Sequence, residues 1–274
     1  MPGVCSAQSY SEKRFAISAP IAPGRSVHQD YGDYEDEPDC VLPVQPVPFK
    51  ILFIEMAIHM SSQVQNENRS RFDAIAAQWD DSPMRSGMAN AVADSILAAV
   101  PVRPQWRTLE YGCGTGLVGL RLLPHVGHVL ETDLSPGMLA VLSEKAAAAG
   151  LDKIDTQVLD LTSSPPPAER FDLIFSSMAM HHIPDVAALI RTFYSMLNPG
   201  GWLALADLDA EDGSFHPPDV PGVAHHGFER KTMESWLRAT GFSSVTTRTA
   251  HTVAKDRDGK ACEYPIFLAT GQRI

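Results

Sequence analysis

"LEYGCGTG" (residues 109–116) sets three glycines at alternate positions directly after a short apolar run. "RTLEY" (107–111) has the composition of a short strand, and "LVGLRLLPHV" (117–126) opens as a helix. The glycines therefore sit in a strand-to-helix turn. Lacking a Cβ, they let the backbone close on a bound group.

The same alternation continues on both sides. Upstream, "SRFDAIAAQWD" (70–80) spaces Phe72, Ile75, Ala76 and Trp79 at helical intervals, and "SGMANAVADSILAAV" (86–100) reads as a helix stopped by Pro101. Downstream, "HVLETD" (128–133) is a strand. "SPGMLAVLSEKAAAAG" (135–150) is a helix, with Ser135 suited to the N-cap, Pro136 to the first turn and Gly150 to the stop. "DTQVLDL" (155–161) and "FDLIFSS" (171–177) are strands, and "PDVAALIRTFYSML" (184–197) is a helix closing at "NPGG". "WLALADL" (202–208) is a strand, followed by a loop rich in Pro, Gly and His (211–228). A helix (230–241) and two strands, 243–253 and 264–270, finish the chain. Strands alternating with helices imply an α/β, doubly wound, mostly parallel sheet covered on both faces.

The first 59 residues read differently. They hold seven prolines and the acidic run "DYGDYEDEPD" (30–39), show neither a helical nor a strand period, and are expected to be a disordered tail. Met60 opens a stretch that reads as an ordinary protein start, and 60–274 is expected to be one domain. The net charge of −11 disfavours a phosphate-backbone partner, so no nucleic acid is expected. The four cysteines are scattered without CxxC spacing, and neither a secretory leader nor an apolar run of membrane length is present. A cytoplasmic protein with no membrane partner is expected.

"GTGLVG" (114–119) also fits the dinucleotide pattern G-x-G-x-x-G, with Asp133 at a plausible ribose distance. Two features weigh against a dinucleotide. The turn begins at Gly112, two residues early. Glu110, at the carboxyl end of the strand, faces a pyrophosphate unfavourably and a cation favourably. S-adenosyl-L-methionine (SAM) carries an ammonium and a sulfonium and no phosphate.

On these residues the chain resembles the class I SAM-dependent methyltransferases. "LEYGCGTG" is similar to their [DE]-x-G-x-G-x-G motif. "ETDLSPGML" (131–139), "VLDL" (158–161), "FDLIFSSMAMHHIPD" (171–185), "LNPGGWLAL" (197–205) and "WLRATGF" (236–242) resemble the later motifs in order and spacing. Residues 70–272 take part, and the likeness is nearest to small-molecule enzymes such as quinone-biosynthesis C-methyltransferases.

The resemblance implies sheet order 3-2-1-4-5-7-6 with an antiparallel last strand. It implies that Gly112, Gly114 and Gly116 close over the cofactor and that Glu110 meets the methionine ammonium. Asp133, with Leu134 beside it, would take the ribose hydroxyls. Asp160 and the Leu161 amide would take the adenine, and Ser176 or Ser177 would lie near the methionyl part. Phe72 and Trp79 belong to a segment that often folds over the site in this family.

Methyl transfer needs a base only if the acceptor must lose a proton. His181 and His182 are the candidates, with His216, His225 and His226 in the loop after the fifth strand, a place for a substrate cap. Met178 is a candidate for an apolar acceptor wall. "HHIPD" and "HHGF" lack an i, i+4 helical pair, so no metal is expected. The expected activity is methylation of a small-molecule acceptor. The rival readings are a non-catalytic SAM-binding protein, a protein or RNA methyltransferase, and an NAD-dependent oxidoreductase. The absence of an N/D-P-P-Y/F signature after the fourth strand lowers the nucleic-acid case.

Overall fold

The computed structural model describes residues 66–218, 220–257 and 259–274. These lie within one unit, Pro48–Ile274; the expected tail, 1–59, falls outside the described residues.

Among the described residues seven strands form one sheet in the order β3-β2-β1-β4-β5-β7-β6, as expected. The strands are β1 (Arg107–Tyr111), β2 (His128–Asp133), β3 (Ile154–Val158), β4 (Phe171–Ser177), β5 (Leu197–Leu208), β6 (Phe242–Arg257) and β7 (Lys260–Arg273). The first five pair in parallel, and β7 runs antiparallel to both β5 and β6.

Six helices accompany them: α1 (66–75), α2 (Pro83–Ala99), α3 (Leu117–Leu122), α4 (Pro136–Ala148), α5 (Val186–Met196) and α6 (Arg230–Thr240). Ser82, Ser135 and Asp185 cap α2, α4 and α5 by accepting backbone N–H bonds, and prolines open α2 and α4.

Two apolar layers sandwich the sheet. Leu109, Ile174, Leu203 and Leu205 pack with Ile190 and Phe193 of α5 and Met233 and Leu237 of α6 on one face. Val129, Leu173, Phe175 and Ala204 pack with Val92 and Ile96 of α2 and Leu122 of α3 on the other.

Three boundaries differ from the sequence reading. The expected strand 155–161 ends at Val158, because Asp160 accepts bonds from Thr162 N and Ser163 Oγ and turns the chain. "NPGG" lies inside β5, across a register shift, rather than ending α5. The expected loop 254–263 is mostly strand: β6 and β7 pair from Phe242↔Arg273 out to Arg257↔Lys260 and close tightly.

Candidate active site

The carboxyl ends of β1, β2, β4 and β5 meet beneath α1 and the loop 209–229. Gly112, Gly114 and Gly116 have φ of +71°, +54° and +77°, a region closed to most side chains. A Cβ on Gly112 would stand 2.5 Å from that of Ala179. Asp133, at the end of β2, accepts from Gly114 N and Ser135 N, both at 2.8 Å, and so ties the two turns together.

Glu110 and Glu131 are register partners on β1 and β2, almost wholly buried beneath α3. Glu110 Oε2 accepts from Gly119 N at 2.9 Å, whereas neither Glu131 oxygen has a partner. Burial and then the facing Glu131 charge push Glu110 well above the usual carboxylate range, and burial pushes Glu131 up to about 7. Together the two carboxyls favour holding a proton.

The opposite wall comes from distant segments. Phe72 meets Trp79 edge-on at 5.7 Å, and the Arg85 guanidinium lies 3.9 Å over Trp79. Asp80, beside Trp79, accepts from Thr115 Oγ1 at 2.5 Å and Lys145 Nζ at 2.7 Å. Asp73 of α1 accepts from Ser135 Oγ at 2.5 Å and Gly137 N at 2.8 Å. Met178 holds φ of +56°, a costly conformation for its side chain.

His181 is buried, and its Nδ1–H donates to Asp207 Oδ1 at 2.8 Å. Burial would raise Asp207; the charge and bonds of His181 outweigh it, and the net direction is down. His182 Nδ1–H donates to Gly222 O at 2.8 Å. His216 Nε2 lies 3.2 Å from His181 Nε2. Burial and the neighbouring His181 lower His182 to about 4 and His216 to about 3. The loop carrying His216 is anchored by Lys255 and Arg257, which both donate to Phe215 O.

One cavity of about 460 Å³ joins these walls, lined among others by Gly112, Gly114, Trp79, Met178, His181 and His216.

A methyltransferase-domain family profile matches residues 108–201. An uncharacterized methyltransferase of Schizosaccharomyces pombe is 33% identical over 132 residues, covering 43% of this chain and 46% of that protein. A ubiquinone biosynthesis O-methyltransferase of Xanthomonas campestris is 31% identical over 160 residues, covering 57% of this chain and 66% of its own. The fold is that of the DhpI–SAH complex, with TM-score 0.59, 22% identity, and coverage of 77% of this chain and 96% of that one.

Residues 108–201 match a methyltransferase domain, and the fold is that of the SAM-dependent methyltransferases. The cofactor of such methyltransferases is SAM, which supplies a methyl carbon bound to sulfonium. The residues fit it. The glycine turn is a cradle that a Cβ at Gly112 would fill, and Glu110 and Asp133 line the same cavity.

Of the expected cofactor residues, Glu110, Gly112, Gly114, Asp133 and Leu134 line the cavity. Gly116 lies behind the wall, against Leu142. Ser176 is buried and donates to Tyr111 O, so Ser177 lines the cavity in its place. Asp160 is tied into its own turn, Leu161 packs in the core, and neither reaches the wall.

Of the acceptor-side candidates, Phe72, Trp79, Met178, His181 and His182 line the cavity. His225 does not; its Nε2–H donates to Ile183 O. His226 is mostly exposed, 3.6 Å from Glu211. Asp73, Asp80, Asp207 and Glu131 were not singled out by the sequence. An acid inside an otherwise apolar strand, as in "WLALADL" and "HVLETD", is the signal that marks the last two.

Proposed function

We propose that this methyltransferase moves the methyl group of SAM to a small-molecule acceptor and releases S-adenosyl-L-homocysteine (SAH). The observation that carries the reading is the shared cavity. The glycine turn and the His181–His182 segment open into one space of about 460 Å³, within the ~300–1,000 Å³ range of small-molecule sites. Trp79, Met84, Met88 and Phe215 give it an apolar wall. The name of the Xanthomonas campestris relative points to a small-molecule acceptor as well.

The division of labour follows from position. Asp133 would take the ribose and Glu110 the methionine ammonium, as the family resemblance implies, and both line the cavity. Trp79 and Phe72, pinned through Asp73 and Asp80, exclude water. Such confinement supplies much of a displacement reaction, since alignment alone is worth roughly 7–11 kcal/mol. Among the described residues, no helix is long and apolar enough to cross a membrane.

The test has two steps. Calorimetric titration with SAH, with NAD as control, checks the cofactor; binding of NAD instead of SAH overturns the reading. Tritiated SAM with a cell extract split into small-molecule, protein and RNA fractions checks the acceptor. Label confined to protein or RNA overturns the small-molecule assignment.

A further inference from the structure

We propose that His181, His182 and His216 form a site for one divalent transition-metal ion, of the zinc class, at the acceptor end of the cavity. The inference deepens the proposed function and rests on it, because the ion would hold the acceptor atom.

Three ring nitrogens, one from each histidine, lie within 4.8 Å of one another. Two of the tautomers are set by fixed partners. The Asp207 carboxylate takes the Nδ1–H of His181, and the Gly222 carbonyl takes the Nδ1–H of His182. A ring that donates at Nδ1 can offer an Nε2 lone pair to another partner. Metal-bound histidines are typically oriented by a carboxylate or carbonyl on the far nitrogen in this way.

The third ring, His216, sets its Nε2 3.2 Å from that of His181. With zinc–nitrogen bonds of about 2.0–2.1 Å, neighbouring corners of a tetrahedron are about 3.3 Å apart. That pair already stands near ligand spacing, and a nitrogen of His182 lies within 4.8 Å of both. Imidazole ligands suit zinc, copper, iron and nickel.

Three protein ligands leave a coordination position open, and all three histidines line the cavity that the glycine turn shares. Arg71 and Lys255 also line this end, and among the described residues the carboxylates lining the cavity, Glu110 and Asp133, come from the ends of β1 and β2. An anionic fourth ligand is favoured by such surroundings. The acceptor class is then a hydroxyl or thiol compound. Its O–H or S–H proton leaves to solvent as the heteroatom binds the ion. A lone pair on that atom attacks the methyl carbon, and the carbon–sulfonium bond breaks with its electron pair going to sulfur, giving SAH. The step needs no oxidant or further reactant.

The experiment uses the full chain, stripped with a chelator and dialysed. Calorimetry with zinc chloride, and the visible absorption of cobalt(II), should show about one equivalent bound tetrahedrally. His216→Ala, in a loop, and Asp207→Asn, behind His181, should each weaken zinc binding by about 10- to 100-fold. SAH affinity of the same His216→Ala sample should stay within about threefold, which also shows that the protein is folded. Absence of zinc and cobalt binding in protein that binds SAH overturns the metal site and leaves the proposed function standing. Affinity unchanged in His216→Ala overturns it too. Failure to bind SAH strikes the proposed function itself.

Discussion

The two ends of the cavity are built by different rules. At the cofactor end, the groups that matter come from two short strand-to-helix turns, 110–119 and 131–138, joined by Asp133. Most contacts there are made by backbone amides and by residues lacking a Cβ. At the acceptor end, Phe72, His182 and His216 come from three segments far apart in the chain, brought together by tertiary packing. A local turn can be written as a spacing; a tertiary cluster cannot. The first end should therefore fail through sterics and backbone geometry, the second through loss of docking.

The largest expected effect tests the backbone end. A Cβ on Gly119 would stand 1.7 Å from Glu131 Oε1 and 2.8 Å from Glu110 Oε2. Gly119→Ala should cost about 3 kcal/mol of folding stability by overpacking a closed site. Glu131→Ala in the same chain should return much of that, because it removes the nearer clash. Urea unfolding of the single and double variants measures both. Equal destabilisation in the two would show that the carboxyl is not what the glycine makes room for.

The same carboxyl predicts a pH dependence. Glu131 is raised from 4.5 to about 7, mainly by burial. The native state thus binds the proton more tightly than the unfolded chain. The corresponding stability is fully present below the unfolded value and is lost as pH rises through about 7. Between about pH 5 and pH 8 the protein should lose about 2 kcal/mol from this group, and Glu131→Gln should flatten that slope. Parallel pH profiles for the two proteins would rule out Glu131 as the source.

Asp133→Ala should weaken SAH binding by about 1–3 kcal/mol, roughly tenfold or more, through lost charge-assisted bonds. Calorimetry reads it directly. Unchanged affinity would remove Asp133 from the cofactor site and reduce it to a bracket between two turns.

How much could be read in advance follows the same division. The succession of strands and helices, the glycine turn and the place of Asp133 at a strand end were legible because each is fixed by local pattern: apolar runs, a strand end, a residue before an S-P helix start; the order of strands in the sheet came from the family resemblance. Asp160 has a spacing that resembles an adenine-binding acid, and Thr162 and Ser163 supply three donors that hold it in a turn. The His181–Asp207 pair was half legible, since the histidine stood out and the acid hid in an apolar strand. His216 joins them only because Lys255 and Arg257 draw its loop inward through Phe215 O, a contact spanning about 40 residues of sequence. The i, i+4 spacing rule looks along one helix and does not register a histidine cluster assembled from two loops.

The smallest effect belongs to the docking of the acceptor wall. Asp80 and Lys145 are each about one-third exposed, so solvent screens their attraction. Asp80→Ala should therefore lower global stability by under about 1 kcal/mol. Its local consequence should be larger than its global one, because Asp80 also takes the Thr115 hydroxyl and so couples the 76–81 segment to the glycine turn. Amide exchange in 66–81 should speed up while exchange in β1 and β4 stays slow, as expected when a weakly held unit opens alone. Bound SAH, by filling the space beneath Trp79, should restore much of the protection. Uniform exchange changes across the whole sheet would mean that this wall unfolds with the core, and the two ends of the cavity would then be one cooperative unit rather than two.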